Sequence, residues 1–168
     1  MIYKLLGSLV LLFAGGYVSI AITRFERRRL RVLDGYISLI YYIKGQIDCY
    51  AMPLSDIMAS ADPTVLAACL GLDDSAACLP PTAMGDRPIT AMVEESRLYL
   101  EPEVERLLTT LTGELGSTYR AEQVTRCDHY LTALTEERRK LGDSLPARLR
   151  AICTLCLCSA VVAALLLW

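Results

Sequence analysis

The sequence predicts an all-α protein, a cytoplasmic helical bundle with long antiparallel first and last helices, continuous with N- and C-terminal transmembrane helices. Three observations lead there. Leu5 to Ile22 and Ala151 to Trp168 are 18-residue runs without a charged side chain, with 13 and 16 hydrophobic positions respectively, each long enough to cross a hydrocarbon core. The intervening residues 23–150 carry 35 of the 36 charges, 16 basic and 19 acidic, in the proportions of an ordinary soluble domain. Within them apolar residues recur at steps of three and four, and no β-branched stretch alternates with period two. The chain therefore divides into a span over 5–22, a helical domain over 23–150 and a second span over 151–168. A disordered chain, a repeat solenoid and a polytopic transporter are excluded.

The first run is longer than a usual signal-peptide core. Although Ser19-Ile20-Ala21 has the small-x-small pattern of a cleavage site, Arg24, Arg27, Arg28, Arg29 and Arg31 come directly after it, as a stop-transfer flank does. The second run is preceded by Arg138, Arg139, Lys140, Arg148 and Arg150. Ten basic residues thus lie just inside the two runs and only Lys4 outside, so the positive-inside rule puts residues 23–150 in the cytoplasm and both termini across the membrane. The arginine clusters suit anionic lipid. With the domain at net minus three, nucleic acid is not an expected partner. Small residues at four-residue steps, Gly15, Ser19 and Thr23 in one run and Cys156, Ala160 and Ala164 in the other, would permit close helix contact, though membrane helices are rich in small residues anyway.

Beyond the first run, Leu30, Leu33, Ile37, Ile40, Lys44 and Ile47 keep a three–four alternation with one polar intruder, which predicts one long amphipathic helix ended at Met52-Pro53. Gly35 and Gly45 each weaken it by about 1 kcal/mol relative to alanine. Asp62-Pro63 opens a short capped helix that Gly71 stops. Residues 73–88, with Pro80-Pro81 and Gly85, read as the main loop. Pro88 and Pro102 each restart a helix, the second through Val104, Leu107, Leu108, Leu111 and Leu115 to an end at Gly116. The last soluble helix is expected to begin near Ser117 or Thr118. Val124, Cys127, Leu131, Leu134, Arg138, Leu141 and Leu145 form its seam, again with one polar intruder, and Pro146 is expected to kink or interrupt it, with Asp143 or Ser144 to cap a restart. At 1.5 Å per residue the helical parts Arg24 to Tyr50 and Arg120 to Arg150 measure about 40 and 46 Å, matched for antiparallel pairing.

For catalysis the sequence offers little. Cys49, Cys69, Cys78 and Cys127 read as small core residues in a reducing compartment. Cys153, Cys156 and Cys158 contain a C-x-x-C but sit in an apolar run without a second ligand pair, so no metal is expected. Consecutive residues of a helix point about 100° apart, so Cys127, Asp128 and His129 cannot converge as nucleophile, acid and base. There is no P-loop, dinucleotide turn, H-E-x-x-H or G-x-S-x-G. No cofactor is expected, and the expected role is noncatalytic.

Lys4-Leu5-Leu6-Gly7 at the start, Pro53-Leu54-Ser55, Leu111-x-Gly113-x-Leu115-Gly116, Gln123 and Leu134-x-Glu136, in this order between two apolar runs, resemble the stage III sporulation protein AB family of endospore-forming bacteria. That family is related to the cytoplasmic domains of the type II secretion and type IV pilus platform protein. The chain departs from the pattern where Ser117, Thr118 and Tyr119 replace an acidic residue, and where the acidic run of the last helix is shortened to Glu136-Glu137. The resemblance implies a mother-cell protein of the outer forespore membrane, a platform in the channel between mother cell and forespore that couples a cytosolic secretion-type ATPase to other membrane subunits. Gly113, Gly116, Thr118, Glu122 and Gln123 are the candidate partner surface, the glycines alternatively marking only a helix end. A generic two-span assembly factor of a secretion or pilus machine, and a membrane thiol enzyme using Cys127 or the Cys153/Cys156 pair, are the competing readings.

Overall fold

A computed structural model of the protein describes residues 2–50, 53–72, 89–115 and 119–166. Among them are six α-helices, α1 (Ile2–Tyr50), α2 (Leu54–Ala59), α3 (Pro63–Cys69), α4 (Ile89–Ser96), α5 (Pro102–Glu114) and α6 (Arg120–Leu166), with a 3₁₀ turn at Arg97–Tyr99 and no strand. The chain is all-helical, as expected. It divides into two compact units, one of Met1–Arg27 with Leu141–Trp168 and a central one of Arg28–Lys140.

In the central unit α1 buries Val32, Leu33, Tyr36, Leu39, Ile40, Ile43 and Ile47. Leu33, Ile40 and Ile47 belong to the expected seam, Ile37 is only partly buried against the core and Leu30 is half-buried. The buried stripe is wider because three partners cover it. On the α3 side, a Cβ on Gly35 would stand 2.8 Å from the backbone nitrogen of Cys69 and 2.9 Å from the carbonyl carbon of Ala68, so glycine is what permits that approach. On the α4 side, the Tyr36 hydroxyl meets Ser96 Oγ at 2.7 Å in full burial. Ser96 Oγ donates to Val93 O, so the tyrosine is the donor in that pair. On the α6 side lie Cys127, Tyr130 and Leu134.

The two polar intruders find each other's helices. Lys44 Nζ donates to Asp128 Oδ1 at 2.5 Å and Arg138 Nε to Asp34 Oδ1 at 2.9 Å, which sets α1 and α6 antiparallel in one register. A third, looser pair joins Arg120 to Asp48 at 3.9 Å. Because Asp34 faces Arg138, the chain enters this unit at Arg28 and leaves it at Lys140 at one and the same end.

Local chemistry explains the short helices. Asp62 Oδ1 accepts from the Thr64 amide and hydroxyl, both at 2.8 Å, and these bonds hold its carboxyl below the usual carboxylate range. At the other end of α3, Gly71 (φ 65°) carries the left-handed stop, with its amide on Ala68 O and that of Leu72 on Ala67 O. Pro102 occupies the first turn of α5. Pro53 precedes α2, a six-residue helix too short for its periodicity to set it apart in the sequence.

Three expectations are corrected. Of the two outcomes expected at Pro146, a kink or an interruption, the interruption is corrected: α6 is helical on both sides of it, and Ser144 Oγ donates to Leu141 O within the same helix rather than capping a restart. Here the surrounding helix outweighs the single amide that proline removes. The ends at Gly116 and Ser117 or Thr118 move to Glu114 and Arg120; Gly116, Ser117 and Thr118 lie outside the described residues, as does the expected loop 73–88 with Cys78. Cys49 is exposed, whereas Cys69 and Cys127 are core residues.

Both apolar runs lie in helix, the first in α1 and the second, to Leu166, in α6. Among the described residues no helix is long and apolar enough to cross a membrane; side chains in these runs are described only from Phe13 to Ile22 and within 151–162.

Candidate functional site

The junction of α5 and α6 is built from two short-range rules and one long-range bond. α5 turns Val104, Leu108 and Leu111 inward, while the exposed Thr109 and Thr110 donate their hydroxyls to the carbonyls of Glu105 and Arg106. It stops where Leu115 becomes extended, its amide still bonded to Leu111 O at 2.9 Å. Gly113 sits exposed in the last turn with open space around it and no left-handed backbone, so it is not the helix stop that its place in the sequence suggested. α6 starts with the Gln123 amide on Tyr119 O at 3.0 Å, and Glu122 in its first turn complements the positive end of the helix.

Arg126 then ties the junction together. Its Nη2 lies 2.7 Å from Glu122 Oε1, one turn back on α6, and its Nη1 lies 2.9 Å from Glu114 Oε2 on α5. Tyr130 donates to the same Glu114 oxygen at 3.2 Å. The two carboxylates hold the Arg126 guanidinium firmly protonated, Glu122 first, while burial, with Glu114 second, pushes the Tyr130 hydroxyl up. Beside this bridge Tyr119 is 88% exposed. Of the candidate surface, Glu122 and Gln123 are thus brought together on one helical turn, Gly113 stands across the junction on α5, and Gly116 and Thr118 fall outside the described residues. Sequence reasoning missed Glu114, Arg126 and Tyr130. The four-residue step from Glu122 to Arg126 was legible, whereas the reach to Glu114 depends on how α5 meets α6.

The basic flank is not uniform. Arg24, Arg27, Arg31, Arg148 and Arg150 are exposed. Arg28 instead donates to Gly71 O and lies 5.3 Å from the centre of the Tyr99 ring. Arg29 pairs with Glu101 at 3.0 Å with only 14% of its side chain accessible. These two fasten the 3₁₀ turn and the end of α3 to α1, so part of the basic flank serves the fold itself.

Two of the thiols are held away from their reactive form. Burial pushes the Cys69 and Cys127 thiols up, away from the thiolate. His129 is exposed and edge-on to Tyr130. Among the described residues no three His, Cys, Asp or Glu side chains gather as metal ligands would.

No curated protein and no solved structure matches the chain. Residues 4–168 match the family model for stage III sporulation protein AB, and with nearly the whole chain matched, the protein belongs to that family, whose description places it in stage III of sporulation.

Proposed function

We propose that this protein is a noncatalytic membrane platform of the channel between mother cell and forespore, coupling a cytosolic secretion-type ATPase to the channel's membrane subunits. In this reading residues 5–22 and 151–168 are spans, and the central unit stands in the mother-cell cytoplasm against the outer forespore membrane. The observation that carries it is the Asp34–Arg138 pair. By fixing entry and exit of the central unit at one end, it suits a domain tethered at two points, and the neighbouring residues on either side are a basic flank and an uncharged run. Family membership supplies the sporulation setting.

The α5–α6 junction is the docking surface in this reading. Exposed Tyr119 offers an aromatic anchor and half-exposed Arg126 a guanidinium, residue types enriched in protein interfaces, while half-exposed Glu122 and Glu114 offer charge-assisted bonds. The experiment replaces Glu122 and Gln123 by alanine and Thr118 by aspartate in the full chain. Pull-down of the cognate ATPase and spore yield should both fall at unchanged melting temperature. Variants that melt, bind and sporulate like wild type would remove the junction as the docking surface, and turnover by the purified protein would remove the noncatalytic reading.

A further inference from the structure

We propose that the outer face of α1 from Phe13 to Ile20 docks a second copy of this chain inside the bilayer, the two Tyr17 hydroxyls bonding to each other; this rests on the membrane reading above. Four hydroxyl side chains are described in the two apolar runs. Ser19 Oγ lies 2.9 Å from Cys153 Sγ. Thr154 donates to Arg150 O and Ala151 O, and Ser159 to Cys156 O, each at 2.9 Å. Tyr17 alone of the four has no partner among the described residues, and it is 76% exposed.

In water that would mean nothing. In hydrocarbon an unbonded hydroxyl is expensive, on the order of 4–8 kcal/mol for transfer to an alkane. Nor can the side chain reach easily for the nearer headgroups. Side chains on a helix lean toward its N-terminus, which with the basic flank at Arg24 points the ring toward the bilayer centre. Tyr17 also stands five residues inside the Ile22 end of the run, about 7.5 Å along the helix.

The surroundings of Tyr17 fit a helix rather than lipid alone. Phe13, Tyr17 and Ile20, exposed at 73%, 76% and 55%, keep a four–three step, the spacing of a helix–helix seam. The opposite face, with Ser19, is taken by Cys153. A second copy meets the need directly, because two chains of one orientation hold Tyr17 at the same depth, and a hydroxyl is both donor and acceptor. Arg24, next on the step, lies beyond Ile22, where lipid phosphates keep the like charges screened.

The test reconstitutes the full chain in vesicles of phosphatidylethanolamine and phosphatidylglycerol. Energy transfer between labelled copies, tracked as lipid is added, should show a dimer. Tyr17→Phe should weaken it by about three- to twentyfold, the range for one hydrogen bond between membrane helices. In a background with the native cysteines replaced by alanine, Tyr17→Cys and Phe13→Cys should cross-link on oxidation and Val18→Cys should not. Unchanged association of Tyr17→Phe, cross-linking as strong at Val18, or a monomer at every dilution would overturn the interface. Alkaline extraction separates the two ideas. A chain that stays in the vesicles as a monomer refutes only this interface, and one that washes out refutes the membrane reading with it.

Discussion

Gly35 and Gly45 lie on the same helix and carry the same penalty on paper, yet their surroundings separate them. A Cβ at Gly45 meets nothing within 4 Å, so Gly45→Ala should raise stability by about 0.5–1 kcal/mol. Gly35→Ala would push a Cβ against the backbone of Ala68 and Cys69 and should lose about 1–2 kcal/mol net; thermal unfolding of the full chain in detergent checks both signs. Tyr36 adds a pH prediction. Burial holds its hydroxyl above the ordinary tyrosine range, so above about pH 10 the unfolded chain ionises while the folded one does not. The unfolded state then binds fewer protons, and stability is full below pH 10 and falls as pH rises. Tyr36→Phe should cost about 1 kcal/mol at neutral pH and make the alkaline decline shallower; parallel declines between pH 10 and 12 would contradict this. At this scale the sequence was half legible. Lys44 and Arg138 were visible as interruptions of a seam, but their carboxylate partners are 84 and 104 residues away, and no local pattern reveals such a distance.

Helices were legible where periodicity and capping agree. The long helices, the Asp62 cap, the Gly71 stop and the Pro102 start all stand where residue chemistry put them. The ends that moved, at Glu114 and Arg120, differ from the expected ones by two to three residues, the scale on which helix ends fray. The buried stripe of α1 is wider than its periodicity alone implies, because its width depends on α3 and α4 as well as on α6. The centre of the α6 seam is Leu134, fully buried, whereas Leu131 is only partly so and Thr132 is exposed. Leu134→Asp should therefore lose several kcal/mol, Leu131→Asp and Ile37→Asp less, and Thr132→Asp little. Equal losses in all four would mean that α6 packs through another face.

For the molecule as a whole, the α5–α6 junction was legible only in outline. Gln123 was picked out by resemblance and Glu122 as its neighbour at the expected helix start, and the bridge through Arg126 to Glu114 came from the fold. The proposed topology rests on the ten flanking basic residues and is tested through Cys49, which is exposed at the end of α1. In a variant keeping Cys49 alone, a membrane-impermeant thiol reagent should label it only after the cells are opened. Labelling in intact cells would reverse the orientation.

The Lys44–Asp128 pair also sets a clock for synthesis. The two partners are 84 residues apart, so at about 5–20 residues per second a ribosome needs about 4–17 s between making one and the other. During that interval Ile43 and the apolar positions around it wait without the helix that finally covers them. The intervening short helices are made first, and Gly35, Tyr36 and Ser96 supply contacts that α3 and α4 can form on α1 before α6 exists. The central unit can thus shelter part of its longest helix while still being translated, and α6 closes last.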